Sequence, residues 1–287
     1  INSHPYPLRP AESVLKQRKH MSQFLTALPV FNEDKHVQEV LDQVRRHTDN
    51  ILVVDDGSTD NTACILKERA RQRGDVTVIH HETNLGYGAA LATAFAYALQ
   101  PREDGSCWDG LVTIDCDGQH QPQLIPSFIA AIGDPKAPAA DIVSGSRYLK
   151  DLPDNSQAPE GRRRINMEIT AEINEQLGLS LTDAFCGFKA YSRKALQALP
   201  VTEPGYAMPL EVWVLAAAEK LRIVELPVPL VYLDLTRSFG GALDDGTTRI
   251  AHYREILERT IRSIQARSGV NRSVGYGVGS PAQRVDA

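Results

Sequence analysis

Two acids one residue apart, Asp115 and Asp117, follow a mostly apolar run at residues 111–114 and precede Gln119. Along an extended backbone alternate side chains share a face, so both carboxylates should point the same way while Cys116 points into the packing. Two carboxylates and an amide oxygen suit a hard divalent cation, Mg²⁺ or Mn²⁺, which commonly completes its shell with diphosphate oxygens. An isolated Asp-x-Asp is more often the start of a solvated turn, so its surroundings decide which interpretation holds.

The elements before this stretch alternate between strands and helices. Short apolar runs predict strands at 24–30, 51–54, 76–79 and 111–114. Apolar spacing and caps predict helices at 36–47, from Thr59 or Asp60 to Ala70, and from Gly86 to Leu99. This order predicts a doubly wound, Rossmann-like α/β fold, a three-layer α/β/α sandwich with a mostly parallel central sheet.

Three polar clusters lie where predicted strands end. They are Asn32-Glu33, Asp55-Asp56 and Asp115-Asp117. Because ligands of parallel sheets gather at the carboxyl ends of the strands, these clusters should line a single crevice, which favours a binding role for the Asp-x-Asp pair. Asp55-Asp56 alone is equally well explained by a turn that caps a helix. The G-x-G at Gly86 lacks the third glycine and the distant acid of a dinucleotide site, so no nicotinamide cofactor is expected.

Composition limits the class of protein. The chain has 287 residues, 42% of them hydrophobic, which is enough for a sizeable core. Its net charge of -5 shows no general attraction to nucleic acid. The four cysteines form no C-x-x-C pair, and no apolar run approaches the roughly 20 residues that span a bilayer. We therefore expect a cytoplasmic protein with reduced thiols and no nucleic-acid partner.

Four motifs, in this order and spacing, resemble family 2 glycosyltransferases of the GT-A fold. They are L-P-V-F-N-E at 28–33, V-V-D-D-G-S-T-D at 53–60, N-L-G-Y-G-A-A at 84–90 and D-C-D-G-Q-H at 115–120. Within that family the chain is similar to dolichyl-phosphate mannose synthases and related polyprenyl-phosphate glycosyltransferases, over about residues 22–235. The resemblance implies a metal-dependent, inverting transfer of a sugar from a nucleotide-diphospho-sugar.

The resemblance also implies roles for these residues. The donor would be held by Pro29, Phe31, Asn32, Glu33, Asp55, Asp56, Gly86 and Asp115. The metal, Mg²⁺ or Mn²⁺, would be held by Asp115, Asp117 and Gln119, with Asp117 counted among the catalytic residues. We expect an N-terminal extension at 1–20, one domain with a donor half at about 21–120 and an acceptor half at about 121–268, and a disordered tail at 269–287.

The second half of the chain continues the likeness. Its family-like segments contain Arg147 in G-S-R-Y, Asp183 and Lys189 in D-A-F-C-G-F-K-A-Y, and Glu211 in G-Y-A-M-P-L-E. Three arginines at 162–164 begin a predicted helix that runs to Leu177, where they would oppose the helix dipole unless an anion binds them. Helices are also predicted at 210–221 and 248–268, and an edge strand with two prolines at 223–232.

The acceptor is the open question at this stage. A hydroxyl acceptor needs a positioned base, for which Asp183 is the candidate, whereas a lipid phosphate is already ionised and needs cations instead. Arg147, Arg164 and Lys189 could supply those cations, Glu211 could also contact the acceptor, and Arg147 could act in catalysis. The resemblance favours a polyprenyl phosphate, reached from the inner face of a membrane by a peripheral enzyme.

Three alternatives stay open. The first transfers sugar to a soluble or saccharide hydroxyl acceptor. The second is a nucleotide-sugar pyrophosphorylase, which would normally have a glycine-rich loop with a basic residue after the first strand, and residues 29–34 have none. The third, a non-catalytic nucleotide-binding module, would not need both Asp115 and Asp117.

Overall fold

The computed structural model describes residues 23–152, 155–156, 159–233 and 241–268, together with the backbone of Gln283–Arg284. The predicted extension at 1–20 and most of the predicted tail at 269–287 therefore lie outside the described residues. No described helix is both long enough and apolar enough to cross a membrane.

The centre of the fold is an eight-stranded sheet with the order β10-β9-β7-β8-β4-β1-β2-β3. Its strands are β1 (Phe24–Val30), β2 (Ile51–Asp55), β3 (Thr77–His80), β4 (Gly110–Thr113), β7 (Ile142–Ser146), β8 (Lys189–Ser192), β9 (Ile223–Pro227) and β10 (Gln283–Arg284). All neighbours are parallel except β8, which is antiparallel to β4 and β7. A separate hairpin consists of β5 (Gly133–Asp134) and β6 (Ala137–Pro138).

Helices cover both faces of the sheet. They are α1 (Val37–Arg45), α2 (Thr62–Arg73), α3 (Tyr87–Leu99), α4 (Ile125–Ile132), α5 (Glu160–Leu177), α6 (Arg193–Ala198), α7 (Met208–Ala218) and α8 (Gly246–Ser268). Alternate residues of β1 enter different cores: Leu25 and Ala27 pack with α3, α5 and α7, and Phe24 and Leu28 pack with α1 and α4. The predicted three-layer α/β/α sandwich with a mostly parallel sheet is confirmed.

Several boundaries differ from the predictions for local reasons. Helix α2 begins at Thr62, whose N–H is accepted by the Asp60 carboxylate, and it continues to Arg73 because Gly74 supplies a left-handed end. Strand β9 was predicted at an edge, but β10 pairs with it over two residues. Helix α5 begins at Glu160, just after Pro159, so the three arginines lie inside its first turns.

Candidate active site

A cavity of about 660 Å³ lies at the carboxyl ends of β1, β2 and β4. Part of its lining, which we call the acidic wall, consists of Glu33, Asp56, Asp115 and Asp117. Another part, which we call the basic wall, consists of Arg147, Arg162 and Arg249. The acidic wall comes from loops that follow β1, β2 and β4, and the basic wall comes from the loop after β7 and from the first turns of α5 and α8.

Asn32 ties the loop after β1 to the loop after β2. Its φ of 55° lies in the left-handed region, which asparagine tolerates better than most residues. The Asn32 side-chain oxygen accepts the N–H groups of Thr59 at 2.8 Å and Asp60 at 3.3 Å, and Ser58 Oγ accepts the Asn32 N–H. Four of the predicted donor-binding residues line the cavity: Pro29 near the end of β1, and Phe31, Asn32 and Glu33 in the loop after it.

The two adjacent acids after β2 have different environments. Asp56 lines the cavity, and its carboxylate accepts the N–H groups of Leu85 at 3.0 Å and Gly86 at 2.7 Å, so it fixes the start of α3. Asp55, predicted to bind the donor, is buried and is not among the lining residues. Its carboxylate accepts the Ser58 N–H and is hydrogen-bonded to the His80 ring, because Asp55 and His80 are paired across β2 and β3.

The strand before the Asp-x-Asp stretch ends one residue earlier than predicted, and the stretch still faces the cavity. Strand β4 ends at Thr113, yet Asp115, Asp117 and Gln119 all line the cavity while Cys116 is buried. Tyr87 donates its hydroxyl to Asp115 Oδ1 at 3.0 Å. The same carboxylate lies directly over Gly187, where any Cβ would overlap it. Asp115 is therefore held from two sides.

The side-chain oxygens at the acidic edge of the cavity could supply only part of the coordination shell of a hard cation. Asp115, Asp117 and Gln119 offer carboxylate and amide oxygens at one edge of the cavity. In the part of the chain that the structure describes, no group of three or more His, Cys, Asp or Glu side chains could hold a metal alone. A Mg²⁺ or Mn²⁺ ion here would need oxygens from a ligand to complete its shell, as a bound diphosphate would provide.

Arg147 and Asp183 form a buried, two-pronged ion pair beside the cavity. Arg147 Nε donates to Asp183 Oδ2 at 2.6 Å, and Nη2 donates to Oδ1 at 2.9 Å. Asn166 Nδ2 and the Phe185 N–H also donate to Oδ1. Arg147 reaches the cavity, whereas Asp183 is fully buried behind it.

This arrangement argues against Asp183 as a catalytic base. Burial alone would raise the pKa of Asp183, but the charge of Arg147 and the hydrogen bonds from Arg147 and Asn166 lower that pKa to about 2. A carboxylate with so low a pKa accepts a proton poorly, and no part of it is exposed to a substrate. The geometry therefore favours a different role from the predicted catalytic base: Asp183 positions Arg147.

The arginine of α5 that faces the cavity is Arg162 and not the predicted Arg164. Arg162 lines the cavity with Ile165 and Asn166, which lie three and four residues further along the same helical face. Arg164 is exposed and lies with Met167 on the outer surface of the helix. The 3.6-residue period, applied to the buried positions of α5, would have selected Arg162.

Arg249 and a group of aromatic side chains were missed by the sequence reasoning. Arg249 is buried, donates to the Leu243 carbonyl oxygen at 2.9 Å and lines the cavity from α8. The aromatic lining residues from the second half of the chain are Tyr148, Phe185, Tyr206, Tyr232 and Tyr253. Arg249 lies one helical turn before Tyr253 in the helix predicted at 248–268, and this spacing was the available signal.

Lys189 and Glu211, both predicted to bind the acceptor, are buried and are not among the lining residues. Lys189 points inward from β8 and donates to the Cys186 carbonyl oxygen, and burial lowers its pKa. Glu211, in the first turn of α7, accepts N–H groups from Thr202 and Glu203. Both side chains bind groups inside the fold, and neither reaches the cavity surface in this arrangement.

The exposed arginines of α8 are mostly neutralised. Their partners are Glu168 and Glu172 for Arg254, Glu203 for Arg259 and Glu258 for Arg262. These pairs reduce the positive charge that the helix could offer to an anionic membrane surface.

Asp183 should contribute a pH-dependent part of the stability. Its pKa is lowered from an ordinary 3.8 to about 2, so the folded state favours the ionised carboxylate. That stabilisation, about 2 kcal/mol, is complete above the ordinary pKa and is lost as the pH falls toward 2. In urea titrations, the stability difference between the wild type and Asp183→Asn should therefore shrink from pH 6 to the acid range.

Asp134→Asn is the matched control, because Asp134 is exposed on the β5–β6 hairpin. Because the Asp134 side chain is exposed, this substitution should change the stability little. A difference for Asp183→Asn that does not change with pH would contradict the assignment of a low pKa to Asp183.

Comparison with known proteins agrees with this geometry. The model of the family described as "Glycosyl transferase family 2" matches residues 26–199. An undecaprenyl-phosphate mannosyltransferase of Micrococcus luteus is 31% identical over 255 residues, which are 86% of this chain and 99% of the relative. A UDP-N-acetylglucosamine–dolichyl-phosphate N-acetylglucosaminyltransferase of Methanococcus voltae is 31% identical over 229 residues, 74% of this chain and 87% of the relative.

A solved structure shares the fold. The crystal structure of glucosyl-3-phosphoglycerate synthase from Mycobacterium tuberculosis, in complex with Mn²⁺, UDP and glucosyl-3-phosphoglycerate, superimposes with a TM-score of 0.58. The identity is 20%, and the match covers 93% of this chain and 88% of that chain. The family match, the two relatives and this fold together establish that the chain belongs to glycosyltransferase family 2 and is a glycosyltransferase with the GT-A fold.

Proposed function

We propose that this enzyme transfers a sugar from a nucleotide-diphospho-sugar to a polyprenyl phosphate, with a divalent metal and with inversion at the anomeric carbon. An oxygen of the acceptor phosphate forms the new bond to the anomeric carbon while the bond from that carbon to the donor diphosphate breaks. The nucleoside diphosphate leaves, and a single displacement inverts the configuration. Two relatives whose names specify undecaprenyl-phosphate and dolichyl-phosphate transfer support this reaction class.

The acidic side of the cavity is the proposed donor site. The residues at 29–33 and the start of α3 at Gly86 would hold the nucleoside. Asp56 joins the two, because its carboxylate accepts the Gly86 N–H and its own N–H donates to the Val30 carbonyl oxygen. Asp115 and Asp117, with Gln119, would hold Mg²⁺ or Mn²⁺ together with the donor diphosphate. When bound, such an ion neutralises the negative charge that develops on the leaving diphosphate.

The observation that carries the proposal is the composition of the acceptor half of the cavity. Its charged lining residues, among those described, are three arginines, Arg147, Arg162 and Arg249, and it contains no carboxylate, histidine or lysine. A hydroxyl acceptor would need a base there to remove its proton, whereas a phosphate is already ionised at neutral pH and requires only cations. The lining therefore favours a phosphate acceptor over a hydroxyl acceptor.

Exposed apolar side chains support a lipid rather than a soluble phosphate. Among the described residues, the large hydrophobic side chains that stay exposed are Phe31, Leu85, Met167, Tyr206 and Leu233. Phe31 and Tyr206 line the cavity, and Leu85 and Leu233 are next to lining residues in the chain. This concentration of exposed apolar surface around one cavity is typical of a site that meets an apolar ligand or a membrane surface.

Asp117→Asn should remove metal-dependent donor binding while the fold stays intact, because the change keeps the shape of the side chain and removes its charge. Calorimetry with the nucleoside diphosphate and Mn²⁺ should show a loss of affinity of about thirtyfold or more. Binding without metal should change little. Asp134→Asn, on the exposed hairpin, is the control, and undiminished Mn²⁺-dependent binding by Asp117→Asn would remove the metal site from the proposal.

Arg162→Gln and Arg164→Gln test the acceptor site on one helix. Arg162 faces the cavity and Arg164 faces outward, so only Arg162→Gln should raise the KM for polyprenyl phosphate, by about tenfold or more. The KM for the donor should be unchanged in both variants. The sugar donor is first identified from a panel of nucleotide sugars by release of nucleoside diphosphate. An equal response of the two variants would contradict a phosphate site formed by the basic wall.

A further inference from the structure

Two buried glutamates outside the cavity lining bind two loops in the same way. Each accepts the backbone N–H and the hydroxyl of a threonine and the N–H of the next residue. Glu225, on β9, accepts Thr182 N at 2.9 Å, Thr182 Oγ1 at 2.9 Å and Asp183 N at 3.2 Å. Glu211, on α7, accepts Thr202 N at 2.8 Å, Thr202 Oγ1 at 2.7 Å and Glu203 N at 2.7 Å.

The Glu225 contacts lead directly to the basic wall. By fixing the backbone of Asp183, Glu225 fixes the carboxylate that holds Arg147 in its two-pronged pair. Thr182 Oγ1 also lies 2.5 Å from Ser146 Oγ, which accepts the N–H of Tyr148. Glu225 therefore orders the loop at 182–183 and, through it, the loop that carries Arg147 and Tyr148 into the cavity.

The Glu211 contacts lead to the other side of the cavity. Glu203 and Pro204, which follow Thr202, pack against the start of α3: a Cβ on Gly86 would overlap the Pro204 carbonyl and a Cβ on Gly88 would overlap the Glu203 carbonyl. The Pro204 carbonyl oxygen also accepts the Ala89 N–H at 3.0 Å. This is the helix start whose Gly86 N–H is held by Asp56.

Neither glutamate forms an ion pair with any described residue, and neither is among the residues that line the cavity. Their carboxylates serve as pairs of acceptors for a loop backbone. We propose that Glu225 and Glu211 are separate positioning residues, Glu225 for the acceptor arginine Arg147 and Glu211 for the donor-side start of α3. This inference rests on the proposed function for the assignment of the two sides to acceptor and donor.

The two sides predict opposite kinetic effects. Glu225→Ala should raise the KM for polyprenyl phosphate by about tenfold or more and leave the donor KM within about twofold. Glu211→Ala should do the reverse. The variants are matched controls for each other, because each removes one buried carboxylate that accepts two backbone N–H groups and one threonine hydroxyl. The milder changes Thr182→Val and Thr202→Val should show the same separation if either alanine variant folds poorly.

Glutamine should restore the function of both positions. At Glu211 the amide oxygen can replace Oε2, which accepts both N–H groups, and the NH₂ can replace Oε1 and donate to Thr202 Oγ1. At Glu225 the amide oxygen can replace Oε1, which accepts Thr182 N at 3.0 Å and Asp183 N at 3.2 Å, and the NH₂ can donate to Thr182 Oγ1. Only the second contact of Thr182 N, with Oε2, is then lost. At Thr182 the displaced hydroxyl proton can be donated to Ser146 Oγ, since either oxygen of that pair can be the donor. Burial raises the pKa of Glu225, so the neutral amide also avoids the cost of a buried charge. Near-normal KM values are therefore expected for Glu225→Gln and Glu211→Gln.

Amide hydrogen exchange on the full chain tests the positioning without turnover. Glu225→Ala should accelerate exchange at Arg147, whose N–H is accepted by Asp183, and Glu211→Ala should accelerate it at Gly86 and Ala89. If the wild type does not glycosylate polyprenyl phosphate, the proposed function is wrong. The exchange rates still show whether Glu225 and Glu211 position their loops, because that measurement needs no turnover. Equal rises in both KM values from either alanine variant, failure of glutamine to restore them, or unchanged exchange at these amides would overturn the inference.

Discussion

The buried pair of Arg147 and Asp183 is the interaction on which the acceptor half depends. A guanidinium that faces a cavity needs a partner for part of its charge, and here the partner is a carboxylate that solvent does not reach. Because the pairing is two-pronged, it fixes the plane of the guanidinium as well as its position. The antiparallel strand β8 makes this possible, since it is inserted between β4 and β7 and the Asp183 loop precedes it beside the end of β7. The remaining contacts of Asp183, from Asn166 and Phe185, join α5 to the same point.

The same pair separates two chemical interpretations of the site. An accessible carboxylate near Arg147 would have allowed transfer to a hydroxyl acceptor, with Asp183 as the base. Asp183 instead has a pKa of about 2 and five donor groups around it, so it acts as an anion that holds a cation. The pyrophosphorylase alternative loses its support for a different reason, because the chain belongs to glycosyltransferase family 2.

The donor half could be predicted from the sequence because its side chains follow strands directly. The loops that follow parallel strands meet at one edge of the sheet, independently of how the helices pack. Glu33, Asp56, Asp115 and Asp117 accordingly all line the cavity. Asp55 was the exception, since adjacent residues at a strand end point to different faces and only one of them can face the cavity.

The acceptor half depends on how helices pack, which local pattern does not determine. The choice between Arg162 and Arg164 follows from which face of α5 is buried, and Arg249 reaches the cavity only because α8 packs on α5 and α7. Lys189 and Glu211 matched family segments by residue type, yet their side chains bind backbone inside the fold. Motif position indicated the correct loops there but not the direction of each side chain.

The proposed acceptor is already ionised when it meets the basic wall, and an alcohol is not. A direct test compares a polyprenyl phosphate with the matching prenol, an alcohol of the same chain, as acceptors for the wild-type enzyme with its sugar donor and Mn²⁺. A glycosyl phosphate product is expected from the polyprenyl phosphate, and no glycoside from the prenol above background, because the described lining of the acceptor half contains no carboxylate, histidine or lysine to act as a base. Glycosylation of the prenol at a rate comparable to that of the phosphate would contradict the proposed acceptor.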